Sequence, residues 1–396
     1  MTAAQPPPHS TKPQYFLSYA VLGSLVPFVS VLLAERGLDK SQIGTVWAVA
    51  SLGVVVTPVL VTLLADTAIA ARLLMAGLFV LAGFFLAGLW GARTFWPILI
   101  LYALHTFALQ PVFALQDGIH FAAQSIRRTR GLDEVPYHTV RVWGTIGYIL
   151  PSTLLWFLLR PGESMTPAVG CGTAFCALSV VSAFFLPHTP PPPRAESHAR
   201  LPTAAAARAL LEPHVLVFCA AMFLLYLTSQ AFYEFYPLHL TERCGVDNRW
   251  IGMITNVGTV GEVFYMLAFA WLAARLTVRR VMYLGALAIA ARFFLLAAFP
   301  QLSVAIGVQL IHGMTVLAMG VVPPIFLNRH ATDECRNSIQ GLYAMLVLGG
   351  GKVIGSQLFG RIAQGGLPRA FNVAGVMCVV AMGMLYFAFR EEKRET

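Results

Sequence analysis

The feature that most constrains this chain is a succession of apolar stretches, each about as long as a bilayer is thick. They lie near residues 15–34, 43–64, 71–91, 95–117, 140–159 and 167–186, and then near 214–238, 251–274, 280–299, 302–327, 338–363 and 370–389. A helix needs about 20 apolar residues to cross the hydrocarbon core, so twelve such helices occupy roughly 240 residues and leave short loops for the rest of the 396. Composition agrees: 57% of residues are hydrophobic and only 11% charged. A soluble domain carries about 25% charged residues, so lipid must serve as the solvent for most of this surface. The first apolar run follows a polar, Pro-rich start without a basic n-region or a small-residue cleavage site, and is expected to stay as an uncleaved span.

A polar segment containing Pro190-Pro191-Pro192-Pro193 divides the runs into two sets of six. The expected organisation is an N-terminal six-helix bundle over 1–186, a linker over 187–213 with a short Ala-rich helix, and a C-terminal six-helix bundle over 214–396. The halves share a pattern in constant register. Gly37-Leu38-Asp39 corresponds to Gly245-Val246-Asp247, Ile43-Gly44 to Ile251-Gly252, Gly53 to Gly261, Leu64-Ala65 to Leu272-Ala273, Arg72 to Arg280 and Gly77 to Gly285. One loop–helix–loop–helix unit therefore occurs twice, as a parallel repeat of two six-helix halves requires. The fold class read here is an all-α membrane protein, twelve transmembrane helices in two pseudo-symmetric bundles.

Basic residues set the orientation. With the N-terminus inside, Arg127, Arg128, Arg130, Arg194, Arg200, Arg208, Arg275, Arg279, Arg280, Arg329 and Arg336 all fall in inner loops, and the outer loops hold fewer. The positive-inside rule then puts both termini in the cytoplasm. The same rule accounts for the net charge of +9 without nucleic acid as a partner. The six cysteines form no CxxC and no Cys/His cluster, so neither a metal nor a cofactor is expected. No GxxxxGK[ST], HExxH or GxSxG segment is present, which argues against ATP-driven pumping and against an intramembrane hydrolase.

Charges inside the spans carry the functional reading. A charged side chain at the bilayer centre costs about 2.5–3.5 kcal/mol on insertion scales, and persists where it faces a partner or a wet cavity. Asp117, Arg141, Glu234, Glu262, Arg292, His312 and Lys352 are so placed. Glu262 sits mid-span in Gly261-Glu262-Val263-Phe264-Tyr265, Arg292 and His312 in the middle of the next two spans. A carboxylate beside cations is the natural proton- or solute-binding group, so Glu262, Arg292 and His312 are the expected coupling set. Glu234 and Lys352 form a second candidate charge pair, with Asp117 as a further candidate partner. Against each stands the plainer reading of a static pair that orients helices. The aromatics Phe232-Tyr233 and Phe235-Tyr236, with Trp143 and Tyr148, could stack on a sugar or base or belong to packing and interfacial belts, and composition favours the belt.

These residues also carry a family likeness. Leu64-Ala65-Asp66 through Arg72 resembles the loop between the second and third helices of major facilitator transporters, where an acid and a base lock a gate; the repeat counterpart Ala273-Ala274-Arg275 lacks the acid. Arg141-Val142-Trp143-Gly144-Thr145-Ile146-Gly147-Tyr148 resembles the segment opening the fifth helix of nucleoside–proton symporters, a variant of which occurs in the phenylpropionic acid transporter group. Arg336-Asn337-Ser338-Ile339-Gln340-Gly341 and Ser51-Leu52-Gly53 are similar to stretches of the same symporters. The resemblance implies that Arg141, Thr145 and Tyr148 line a solute site and that Glu262 is the eighth-helix acid. Where the symporters have a tenth-helix acid this chain has Leu317, and Thr259 replaces a glutamine one turn before Glu262. Arg141, Glu262, Arg292, His312 and Lys352 also resemble the charged set of lactose permease, with Thr315 at the position of its second tenth-helix acid. The expectation is proton-coupled symport of a small polar solute, a nucleoside first, by a monomer in a bacterial inner membrane. A sugar or aromatic acid symporter, a drug exporter and a non-transporting sensor stand as alternatives.

Overall fold

The computed structural model describes residues 11–67, 69–187, 203–276, 278–330 and 336–388, and among these there is no strand. The helices are α1 (Lys12–Leu25), α2 (Val29–Glu35), α3 (Lys40–Thr67), α4 (Ala71–Leu89), α5 (Phe95–Thr129), α6 (Tyr137–Leu158), α7 (Thr166–Phe184), α8 (Thr203–Leu210), α9 (Pro213–Leu238), α10 (Ile251–Arg275), α11 (Val278–Ala298), α12 (Leu302–Leu310), α13 (His312–Val316), α14 (Val322–Arg329), α15 (Arg336–Tyr343), α16 (Gly350–Ala363) and α17 (Leu367–Ala388). Among the described residues nine helical stretches are long and apolar enough to cross a membrane, and α12 with α13–α14 makes a tenth, bent by 44°. The two further spans expected from the sequence are the helices α3 and α6. In α6 the run of Arg141, Trp143, Thr145 and Tyr148 dilutes the apolar signal, and α3 contains residues whose side chains are not described. The Pro-rich part of the linker, the segment Pro190 to Pro193, lies outside the described residues.

The chain divides into two compact units. The first holds residues 1–38, 49–196 and 248–253, the second residues 39–48, 197–247 and 254–396. In the first, α1 packs along α6 and α7, and α4 along α5 and α7. The α1–α6 contact is backbone against backbone. A Cβ on Gly147 would stand 2.0 Å from the Phe16 carbonyl oxygen, and one on Gly23 would stand 2.0 Å from that of Tyr148. Only glycine permits this approach, which gives the helices the close packing that drives association in lipid. In the second unit α9 packs along α16 and α17, and α11 along α17. Gly355 plays the part of Gly147 there, at the same offset that relates Gly37 to Gly245: its Cβ would stand 2.3 Å from the Leu227 carbonyl oxygen.

The repeat read in the sequence is visible in the turns. Gly37 (φ 83°) and Gly245 (φ 66°) both take the left-handed conformation that ends a helix. Leu38 N–H reaches back to Leu33 O (3.1 Å), and Val246 N–H to Leu240 O (2.9 Å). The second turn is one residue wider because the chain leaves α9 through a π-helical turn, His239–Arg243. After Gly37, Asp39 caps α3 by a reciprocal pair of bonds with Gln42, 2.8 Å and 3.1 Å. Two equivalent contacts follow from the same register. Within the second unit, the backbone of Gly44 meets that of Gly360. Within the first, Gly252 meets Ser152 and Phe28. Two more π-helical turns, Leu317–Val321 and Ala344–Gly349, also lie in the second unit.

The glycine contacts yield a stability test. Gly147→Leu is expected to destabilise the protein by more than about 1–3 kcal/mol, measured as thermal unfolding in detergent. Gly307→Ala, where an added methyl meets nothing within 4 Å, is expected to change it by less than about 0.5 kcal/mol.

Candidate functional site

In the second unit small residues bring three polar ones together. Gly258 lets α10 approach the Gln309 side chain, where an added Cβ would stand 2.4 Å from Oε1, and Gly313 accommodates the Tyr265 ring at 2.3 Å from its own missing Cβ. Two of the three therefore stand next to a glycine: Glu262 follows Gly261 and His312 precedes Gly313. The break at Ile311 starts α13 at His312. His312 Nε2 lies 3.0 Å from Glu262 Oε1, and Arg292 Nη1 lies 2.9 Å from His312 Nδ1. The guanidinium of Arg292 lies flat on Phe232, 3.9 Å from the ring centroid. Phe232 in turn stacks on His312 at 5.7 Å between centroids, and Tyr233 meets the same imidazole edge-on at 5.8 Å.

Hydrogen-bond logic fixes the tautomer. A guanidinium has only donors, so Nδ1 of His312 must accept from Arg292, and the ring proton sits on Nε2 and is donated to Glu262. The chain runs cation, neutral imidazole, carboxylate, and the imidazole joins two charges that do not touch. Arg292 is fully buried, whereas the Glu262 side chain is 28% exposed and that of His312 only 7%. The acid stands at the more open end of the chain; the arginine at the closed end keeps its charge, since a guanidinium is not deprotonated in proteins. Thr259, half-buried, lies on α10 one turn before Glu262.

The other expected charges are met mainly by neutral groups. Glu234 is buried on α9 and accepts a hydrogen bond from Ser356 on α16, and its second oxygen has no hydrogen-bond partner. Lys352 lies one turn before Ser356 on α16, and its charge and that of Glu234 act on each other without a direct ion-pair contact. Asp117, in the first unit, accepts from the hydroxyls of Tyr15 and of Tyr137, the latter at 3.1 Å. Arg141 lies over the Tyr19 ring at 4.3 Å. On α6, Thr145 and Tyr148 are half-buried, and the glycines between Arg141 and Tyr148 serve the packing on α1. Gly144 makes room for the Tyr19 ring, and Gly147 for the Phe16 carbonyl. Arg127 donates to Asp133 O, and Arg128 pairs with Glu134 at 2.6 Å. Of the gate motif, Arg72 is half-buried with its Nε unpartnered, and the Asp66 side chain lies outside the described residues. The side chains of Arg336 and Asn337 lie outside them too, while Gln340 of the same motif donates to Pro324 O at 2.9 Å.

Sequence reading missed the aromatic floor. Phe232, Phe235 and Tyr236 are interior residues rather than a belt, and Tyr233 stands 39% exposed beside the imidazole. Gln309, buried with Nε2 unpartnered, was also missed; a lone amide one turn before His312 was the clue. The geometry sets a contrast in stability. His312→Ala removes the bonding partner of a buried cation and is expected to cost about 3–5 kcal/mol. Glu262→Gln keeps an acceptor for Nε2–H but removes the charge that balances Arg292, and is expected to cost less, about 1.5–3 kcal/mol. Thermal unfolding of the two variants checks both.

A model of the MFS_1 like family matches residues 9–373. Among curated proteins the chain is 28% identical over 368 residues to YegT of Escherichia coli (strain K12), assigned by its name as a nucleoside transporter, covering 88% of this chain and 83% of YegT. It is 21% identical to the nucleoside permease NupG of the same organism, over 88% of this chain and 86% of NupG. The crystal structure of the nucleoside transporter NupG superposes with a TM-score of 0.84 at 19% identity, covering 96% of this chain and 98% of that one. A bacterial homologue of the human lysosomal transporter Spinster, in an inward-facing and unoccupied conformation, superposes with a TM-score of 0.72 at 12% identity over 96% of each chain. With that fold, and with a family model matching nearly its whole length, this integral membrane chain belongs to the MFS_1 like family of transporters.

Proposed function

We propose that the chain is a proton-coupled nucleoside symporter, working by alternating access of the halves 1–186 and 214–396 about the linker 187–213, with both termini in the cytoplasm. The observation that carries the coupling is the Arg292–His312–Glu262 chain of contacts. A proton arriving on Glu262 cancels the carboxylate that balances Arg292 through the imidazole. The unit then holds one uncompensated buried cation, an unfavourable state in a low-dielectric interior. A polar solute that replaces the lost acceptor relieves it, so proton and solute bind together more readily than either alone. That is the energetic content of symport.

Nucleoside as the solute is supported by the two relatives named for it and by the match of Arg141, Thr145 and Tyr148 to the fifth-helix segment. Tyr233 offers a half-exposed aromatic edge next to Glu262 for a flat base, and the carboxylate suits ribose hydroxyls. A sugar remains the second reading, favoured by the same arginine–histidine–acid chain, which needs only hydroxyls from the solute. The protein works as a monomer in this proposal, because one chain supplies both halves of the pathway.

The test is uptake of labelled uridine, adenosine and sugars into proteoliposomes, with and without an inward proton gradient. Gradient-dependent accumulation of a nucleoside is the expected result. Accumulation of sugar alone overturns the nucleoside assignment, and accumulation indifferent to the gradient overturns the coupling. Glu262→Gln is expected to abolish uphill accumulation while leaving downhill counterflow measurable. A variant that still concentrates solute as the parent does removes Glu262 from the coupling role.

A further inference from the structure

A second binding feature lies away from the polar chain, where α8 runs into α9. A groove of about 690 Å³ is walled by Leu210 of α8, by Leu216, Ala220 and Leu224 of α9, and by Leu342 and Leu346 across from them. Its lining is almost wholly apolar, and several of its residues stand open to the surroundings: Leu211 is 64% exposed, Leu346 55% and Leu216 46%. In water such a surface would be an aggregation hazard. At the edge of a membrane span it faces lipid.

Depth and charge identify the occupant. The helix α9 begins at Pro213, and Leu224 lies about 16 Å further along its axis at 1.5 Å per residue. Half of a hydrocarbon core is about 15 Å, so the groove runs from the membrane surface to the midplane, the reach of one acyl chain. At the surface end α8 turns Ala206 and Leu210 inward and leaves Arg208 exposed. This is the end of the span that the distribution of basic residues assigns to the cytoplasmic surface. A second protein helix would need no arginine at that height, whereas a phosphate headgroup does. One groove wall is the π-helical turn Ala344–Gly349, a rare geometry that is frequent at functional sites.

We infer that this groove is a binding site for an anionic phospholipid of the surrounding leaflet, one acyl chain lying along Leu216, Ala220 and Leu224 and the phosphate on Arg208. The inference stands on the membrane embedding and is independent of the transported solute.

The experiment uses the full chain purified in detergent. Phosphatidylglycerol or phosphatidylcholine is added, retained lipid is read by native mass spectrometry, and thermal stability is followed in parallel. The parent is expected to retain phosphatidylglycerol in preference and to be stabilised by it. Arg208→Gln is expected to lower phosphatidylglycerol affinity about fivefold, the weight of one arginine at an anionic surface, and so to erase the preference. Ala220→Phe fills the groove and is expected to lose retention of both lipids. Leu346→Trp does the same from the opposite wall, so that a folding defect in one variant does not decide the matter. Equal retention of the two lipids by the parent, or parent-like retention by both filled variants, overturns the proposal. So does a lipid-free dimer, which would show a second copy covering the groove.

Discussion

Arg292 sets the terms for the second unit. A guanidinium with no exposed surface, inside a span that lipid surrounds, keeps its charge and must be answered locally. Two groups answer it here: the Phe232 face, which offers π density, and His312 Nδ1, which accepts one N–H. Neither carries a negative charge. The balancing carboxylate is one imidazole away, at Glu262, in the more open position. A direct arginine–glutamate pair would be tighter and inert. Spacing the charges with a neutral ring leaves the carboxylate in the more exposed position while it still balances the cation.

That spacing depends on backbone features with no chemistry of their own. Glu262 and His312 meet only because Gly258 and Gly313 take the Gln309 and Tyr265 side chains where a Cβ would otherwise stand. The bend of 44° at Ile311 then starts a new helix at His312. The same device recurs wherever this chain needs two helices close, at Gly147 against Phe16 and at Gly355 against Leu227. Because lipid provides no hydrophobic drive between helices, van der Waals contact of near-touching backbones has to supply it.

The sequence made the fold legible because membrane insertion imposes its own punctuation. Helix positions near 71–91, 251–274 and 338–363 came within a few residues of α4, α10 and the α15–α16 segment. The paired glycines Gly37 and Gly245 showed as a repeat and turned out to share left-handed turns. The end of α5 was less visible, since it continues beyond the apolar run to Thr129 through polar residues that no lipid constrains. Within the site, Glu262, Arg292 and His312 were legible as polar groups without solvent, which single residues can announce, and the structure brings them into one chain of contacts. Partners were not. Asp117 bonded by tyrosines, Glu234 bonded by Ser356 and Arg141 laid on Tyr19 all involve neutral residues, whose pairing depends on helix rotation rather than on composition.

The repeat also shows how function was added to a symmetric frame. Carried through at the register that aligns Gly37 with Gly245, the position of Glu262 falls on Val54 in the first half, that of Arg292 on Phe84 and that of His312 on Leu104. Scaffold glycines are kept in both copies, as Gly147 and Gly355 show, while the charged chain exists in one. The first copy uses Tyr148 where the second has Ser356 and Gly144 where the second has Lys352. Symmetry is held by residues that determine how close backbones come, because losing either glycine opens a helix pair. Chemistry is free to differ, because a buried charge needs one complete set of partners and a second set would double the desolvation cost.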